Sequence, residues 1–294
     1  MANKKIPRTA IMPYLFVAPV LILLFVFNIL PLLSAFIISL FDISITLGQP
    51  KFIGLENFIE IIGDSRFWNS LKITLKWTAV EVPLQVILAL ILSAALTDNS
   101  LFNRIIRGIY FLPIICSATV VGIMWKLILH SNIGYISYLL RLLGFENINL
   151  MNSPTVTFYV IVFMSIWKTF GISVTIFVSA MQSVPKSLYE AAELDNAGKI
   201  RQFFSITLPY ISPTLWFIIM TRLISSLQVF DIVYTTTGGG PNFTTETLVT
   251  YIYTRAFEVY RMGYASAVSV CLFFIILIIT VILYSRMLKQ EKEY

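Results

Sequence analysis

The sequence predicts an all-α integral membrane protein with six transmembrane helices, and three observations lead there. Of its 294 residues, 57% are hydrophobic and only 12% charged. Its mean hydropathy of +0.84 is far above that of a water-soluble domain. Six stretches reach the roughly 20 apolar residues that a helix needs to cross a hydrocarbon core: about 11–40, 73–96, 105–129, 156–181, 211–234 and 262–284. Helices are expected because the core of a bilayer holds no water to satisfy open backbone groups.

Lys4, Lys5 and Arg8 precede the first apolar run, as in a secretory signal. The apolar region of a signal is about 7–15 residues, whereas this run continues to about Leu40, so it reads as a retained helix. The loop that follows, "FDISITLGQPKFIGLENFIEIIGDSRFWNS", repeats Leu55, Phe58, Ile59 and Ile62 at helical spacing. A short surface helix at the outer interface is expected, with Phe67 and Trp68 at headgroup level.

The second span holds Glu81 one turn from Trp77 and Gln85. Ionisable groups are costly in a bilayer, so an interhelical hydrogen bond or ion pair is expected for it. Lys76 and Lys126 sit near predicted outer ends and read as snorkelling anchors. Arg222, central in the fifth span, demands an acidic or carbonyl partner. Cys116 and Cys271 fall inside spans and read as small apolar fillers.

Between the fourth and fifth spans lies "KSLYEAAELDNAGKIRQFFSITLP", residues 186–209, charged at Lys186, Glu190, Glu193, Asp195, Lys199 and Arg201. Ser187 and Glu190 fit a capping box. Asn196 and Gly198, the types that enter a left-handed backbone most easily, break the run. Ile200, Phe203, Phe204 and Thr207 then repeat at helical spacing until Pro209. Two short helices at an angle result. An anionic membrane surface would repel Glu190, Glu193 and Asp195, and the small Ala191 and Ala192 beside them suit close approach by another protein.

An even number of spans places both termini on one side, and the positive-inside rule identifies it. Lys4, Lys5, Arg8, Arg104, Arg107, Lys186, Lys199, Arg201, Arg286, Lys289 and Lys292 fall on the terminal side. Lys51, Arg66, Lys72, Arg141, Arg255 and Arg261 fall opposite, offset by Asp42, Glu56, Glu60, Asp64, Glu146, Glu246 and Glu258. Both termini are therefore expected in the cytoplasm. The net charge of +6 belongs to flanks near anionic lipid and calls for no nucleic acid.

"EAAELDNAG…FFSITLP" resembles the EAA motif of the inner-membrane permease subunits of binding-protein-dependent ABC importers. "RGIYFLPIICSATVVGIMW", "TTTGGGPNFTTETLVTYIYTRAF" and "MGYASAVS" are similar to the carbohydrate branch of that family, the maltose, lactose and multiple-sugar permeases. The resemblance implies the type-1 importer permease bundle in a bacterial inner membrane. Residues 70–285 would be its core of five helices, with a coupling hairpin at about 183–210. Residues 1–69 would hold the tail, first helix and outer loop, and 286–294 a cytoplasmic tail. It implies a coupling helix seated on an ATPase subunit at Glu190, Ala191, Ala192, Asp195, Asn196 and Gly198, Asn196 standing where the family usually has Gly. Ala197, Leu208 and Pro209 also match the motif.

Partners implied are a dimer of ATP-binding subunits carrying ATP and Mg, a second homologous permease and an extracytoplasmic sugar-binding protein. The chain itself would be no enzyme and hold no cofactor. Sugars are held by aromatic stacking and by polar groups reaching hydroxyls, so Trp167, Gln228, Asp231 and Tyr264 form the expected substrate path. Gln228 and Asp231 are three residues apart and so share a helix face.

Two other classes have less to build with. An ion-coupled secondary transporter would favour intramembrane carboxylates and often an inverted repeat; Glu81 and Asp231 are the deep acids and no repeat is visible. An intramembrane enzyme finds one histidine, His130, and no nucleophile elbow. "TTTGGGP" lacks the Lys-Ser or Lys-Thr of a phosphate loop.

Overall fold

The computed structural model describes residues 8–44, 49–144, 150–151 and 153–291, with side chains from Phe16 to Met287. Lys4, Lys5, Glu146 and Lys292 of the charge comparison lie outside the described residues, as do the side chains of Arg8 and Lys289. Four helical stretches are long and apolar enough to cross a membrane, and two further helix pairs qualify if each bent pair is one span. The chain divides into two compact units, residues 1–64 with 252–273 and residues 65–251 with 274–294.

In the first unit, α1 (Arg8–Leu24) passes through a π-helical turn, Phe25–Ile29, into α2 (Leu30–Ile38). The wide turn has a local cause: Pro31 has no N–H for the carbonyl four residues back, and its ring crowds that carbonyl. Phe16 to Leu33 are exposed almost throughout. In lipid this is expected, because hydrocarbon tails are as apolar as the side chains.

A two-residue hairpin pairs β1 (Phe41–Asp42) with β2 (Lys51–Phe52). Next comes α3 (Glu56–Gly63), the surface helix that the spacing predicts. Leu55, Ile59 and Ile62 are exposed while Ile61 and Asn57 are buried. Asn57 holds the unit together: its amide donates to the carbonyls of Ser39 (2.9 Å) and Phe41 (3.0 Å). Gly263 is required beside it, since a Cβ there would lie 1.9 Å from the Phe41 carbonyl oxygen.

Arg261 donates two hydrogen bonds to Glu60 at 2.5 and 2.7 Å. These bonds hold the Glu60 carboxyl below its ordinary range and raise the Arg261 guanidinium above its own. Tyr264, 1% exposed, donates to Asp64 at 2.7 Å, and Arg255 bridges to the same carboxylate at 3.3 Å.

The second unit starts with α4 (Ser65–Ala95), a 31-residue helix containing Pro83. Phe67 is 4% exposed, so it belongs to the core rather than to the headgroup level; Trp68, at 51%, is the exposed one of the pair. α5 (Leu101–Ile115) and α6 (Ala118–Ile128) replace the predicted continuous third span with two helices at 99°. Pro113 weakens the last turn of α5, and Cys116 and Ser117 are extended (ψ 139° and 143°). Cys116 is thus an exposed residue of a break, not a filler inside a span.

α7 (Tyr135–Leu142) is short, and α8 (Pro154–Gln182) is continuous as predicted. α9 (Lys186–Leu194) and α10 (Lys199–Gln202) form the predicted angled pair. A π-helical turn, Phe203–Thr207, and α11 (Leu208–Tyr210) follow, then a bend of 71° into α12 (Ser212–Leu227). Pro209 does not stop the helix; like Pro31, it follows a π turn that accommodates its missing N–H.

The predicted fifth span to residue 234 is interrupted after Leu227 and resumes as α13 (Asp231–Thr236). α14 (Leu248–Tyr253) leads through a third π turn to α15 (Met262–Glu291). The core of the unit is packed from α4, α8 and α12 around Trp77, Ile161, Phe177 and Ile218, each 1% exposed or less.

The Glu60–Arg261 pair yields a pH test. Its folded carboxyl titrates below the unfolded value of about 4.3, so its contribution is present above that pH and is lost as pH falls through the lower folded value. Both partners are over a third exposed, which keeps the contribution toward the low end of about 0.2–1 kcal/mol. Glu60→Gln should lower the thermal midpoint of the detergent-solubilised protein at neutral pH, with the gap to wild type closing under acid. A gap unchanged by acid would show that the contact, and not the charge, matters.

Candidate functional site

The second unit contains a polar cavity of about 210 Å³ among its apolar helices. It forms where α12 stops and α13 has not begun: Gln228 closes α12 with φ −104°, and Phe230 lies outside the helical region at φ −138°, ψ −64°. Glu81 and Gln85 of α4, Ser165, Lys168 and Thr169 of α8, and Arg222, Ser225, Gln228 and Asp231 line it. Residues 165, 168 and 169 share one face of α8 by helical spacing.

Glu81 is the central member. Its carboxylate, on a side chain 5% exposed, accepts hydrogen bonds from Trp77 Nε1 (2.7 Å), Ser165 Oγ (2.5 Å) and Ser226 Oγ (2.5 Å). One carboxylate therefore joins α4, α8 and α12. The interhelical bond predicted for Glu81 is present, whereas nothing in the sequence marked Ser165 and Ser226 as its donors. Gln85 adds a bond to Thr169 Oγ1 at 3.2 Å. Arg222 lies within the field of Glu81 but is absent from the salt bridges found among the described residues.

Of the four residues expected on a substrate path, the structure brings Gln228 and Asp231 together at the cavity. Trp167 lies on another face of α8, edge-on to Trp125 at 5.6 Å and lining an apolar groove with Phe163 and Phe170. Tyr264 belongs to the other unit, fully buried and bonded to Asp64. Neither lines the polar cavity. Gln228 and Asp231 do not share a helix face as their spacing predicts, because the chain leaves the helix between them; they reach the cavity from the two sides of the break.

The ends of the unit are braced differently. Gln182 donates to the Thr97 carbonyl at 2.7 Å, which places the end of α4 beside the end of α8. At the other end Arg66 forms a bidentate pair with Glu246 (2.6 and 2.9 Å), Ser70 donates to the same carboxylate (3.1 Å) and Arg66 lies 3.9 Å over the Phe243 ring. The Thr74 hydroxyl accepts from the Leu248 N–H, and the Thr247 hydroxyl donates to the Val229 carbonyl. The glycine-rich turn, with Gly238 and Gly239 at positive φ, packs against Glu246 of this braced segment. Lys76, expected to snorkel, stands 4.3 Å over the Phe158 ring, and exposed Lys126 and His130 line a separate cavity beside Pro241.

The 186–209 hairpin presents Glu190, Ala191, Glu193, Asp195, Asn196 and Gly198 exposed, with Ala192 half-buried. Asn196 takes the left-handed conformation at φ +55° while Gly198 does not, at φ −65°. The Ala197 N–H bonds to the Ala192 carbonyl (2.9 Å) and the Asn196 N–H to that of Glu193 (3.0 Å), which is a Schellman closure. Asn at this position thus completes the turn that its tolerance of positive φ predicts.

The expected capping box is not formed: Pro185 is the cap, and Ser187 stands inside the first turn. The repeat of Ile200, Phe203, Phe204 and Thr207 does not run as one α-helix: a π turn begins at Phe203, with Ile200 and Phe204 exposed and Thr207 buried. Tyr189 and Thr207 share a hydroxyl bond at 2.7 Å that ties α9 to the π turn.

Residues 85–290 match the family described as binding-protein-dependent transport system inner membrane component. The chain is 32% identical to a trehalose/maltose transport system permease protein of Thermococcus litoralis, over 94% of its own length and 93% of the relative's. It is 35% identical to a sulfoquinovosyl glycerol transport system permease protein of Agrobacterium fabrum, over 94% and 90%. A chain in the crystal structure of a bacterial alginate ABC transporter, solved in complex with an alginate pentasaccharide-bound periplasmic protein, superposes with a TM-score of 0.83 at 20% identity, covering 92% of each chain.

Glu81→Ala would leave three buried donors without an acceptor, at about 1–3 kcal/mol for each that water from the cavity does not reach. The variant should melt well below wild type in detergent. Glu81→Gln keeps one acceptor oxygen and should lose less. Equal melting of all three proteins would show that the carboxylate does not organise the helices.

Proposed function

The chain belongs to the binding-protein-dependent transport system inner membrane components, and from that premise we propose that it is the membrane-spanning permease subunit of an ATP-driven ABC importer for a sugar or oligosaccharide. The observation that carries this reading is structural continuity. An exposed, acidic, sharply closed hairpin runs without interruption through a π turn and a 71° bend into α12, the helix that lines the polar cavity. A push on the hairpin has a direct route to the solute path.

In this reading ATP and Mg are held by a separate dimer of ATP-binding subunits, and the hairpin sits on that dimer through Glu190 to Gly198. An extracytoplasmic binding protein delivers the solute. A second homologous permease completes the path, which fits a cavity of about 210 Å³ against the roughly 300–1,000 Å³ of complete small-molecule sites. Both termini and the hairpin are cytoplasmic, on the excess of Lys and Arg at that side, and the apolar helix faces meet membrane lipid. The relatives' own solutes, a disaccharide and a sugar glycoside by their names, support the carbohydrate class. Gln228 and Asp231 supply the hydroxyl-binding groups such a solute needs.

Glu190→Arg reverses a charge on an exposed helix and should leave membrane insertion intact. Copurification of the ATPase and ATP-driven uptake in vesicles should fall by roughly tenfold or more, the scale of a reversed interfacial charge. Normal copurification and uptake would sink the assignment of the hairpin. Asn196→Val places a β-branched residue at φ +55°, at about 1–2 kcal/mol, and should impair coupling in the same assay, whereas Asn196→Gly should not. Equal uptake by the two would show that the closed turn is dispensable.

A further inference from the structure

Two cations line the cavity without a carboxylate of their own. Lys168 lies one turn from Ser165 along α8, and Arg222 one turn from Ser226 along α12. α8 runs toward the hairpin and α12 runs away from it, so both cations fall on the hairpin side of Glu81. Among the described residues neither forms a salt bridge or a hydrogen bond. The Glu81 carboxylate acts on Arg222 through space, but its two oxygens already accept three bonds.

Asp231, the other acid, is exposed on the far side of the α12 break. Gln228 is six residues beyond Arg222, roughly 9 Å along a helix axis. One end of the cavity is therefore cationic and the other offers an amide and a carboxylate. Ionisable side chains at membrane depth are costly and are kept where they serve a ligand or a relay. Neutral hydroxyls would leave Lys168 uncompensated.

We propose that the transported solute is a polyol bearing an anionic group, a phosphate, sulfonate or carboxylate, which Lys168 and Arg222 clamp while its hydroxyls meet Gln228 and Asp231. The inference rests on the cavity being the solute path. Asp231 also sets the orientation, because it repels the charged end.

The test is equilibrium binding to the purified permease complex in lipid nanodiscs, without binding protein, using matched probes: glucose 6-phosphate and glucuronate against glucose, and glycerol 3-phosphate against glycerol. The charged member of a pair should bind about tenfold more tightly or better, as charge-assisted hydrogen bonds require. Lys168→Gln and Arg222→Gln should reduce it to the level of its neutral partner, and Lys168→Arg should retain it. Equal affinity for the two members of every pair, no measurable binding included, overturns the proposal, and that comparison needs no variant to fold. Uptake driven by an ion gradient without any ATPase would instead overturn the importer reading, leaving the charge preference to stand on the binding data.

Discussion

A single carboxylate at the middle of a 31-residue helix is the constraint from which the arrangement of the second unit follows. Glu81 cannot stand at membrane depth unless its oxygens are satisfied. Satisfaction comes from three helices at once: Trp77 below it on α4, Ser165 on α8 and Ser226 on α12. In lipid, apolar contact alone gives little preference for one helix over its surroundings. A shared acceptor supplies that preference and fixes the rotation of all three helices about their axes. Once those rotations are fixed, Lys168, Thr169, Arg222 and Ser225 have no choice but to face the same space.

The interruptions in the helices have local causes with distant consequences. Pro31 and Pro209 each follow a π turn, and Pro113 precedes the extended pair Cys116–Ser117. Backbone irregularity at membrane depth is tolerated where it is buried in protein or lines a cavity. The break at Gln228–Phe230 is of that kind: it opens the cavity, and Thr247 is bonded to the Val229 carbonyl that the helix has released. At the hairpin, the Schellman closure at Asn196 and the Tyr189–Thr207 bond tie the two short helices to each other. Such an element can transmit force in the proposed importer because it has few ways to yield.

Long apolar runs, the hairpin and the depth of Glu81 were legible in the sequence because each is a one-dimensional pattern. The bend of the third span was not: Cys116 and Ser117 are unremarkable in composition, and only the proline ahead of them hinted at a stop. The same holds for Tyr264, whose aromatic ring suited a sugar while its hydroxyl was committed to Asp64. Trp167 lies one residue from Lys168 yet looks into an apolar groove. Successive residues on a helix diverge by about 100°, so nearness in sequence does not decide which cavity a side chain meets. The Arg66–Glu246 pair, 180 residues apart, had no local signal at all.

The proposed function requires that the solute path change the side to which it opens when a partner ATPase turns over. Ser225 lines the cavity and is exposed to it, so a cysteine placed there, in a chain with Cys116 and Cys271 replaced, reports access directly. The measurement is the rate at which a membrane-impermeant maleimide labels that cysteine from each side of vesicles holding the assembled importer, with ATP absent and with ATP trapped by vanadate. The expected result is labelling from the hairpin side without nucleotide and from the opposite side in the trapped state. Labelling from the same side at the same rate in both conditions would contradict ATP-driven alternating access through this cavity.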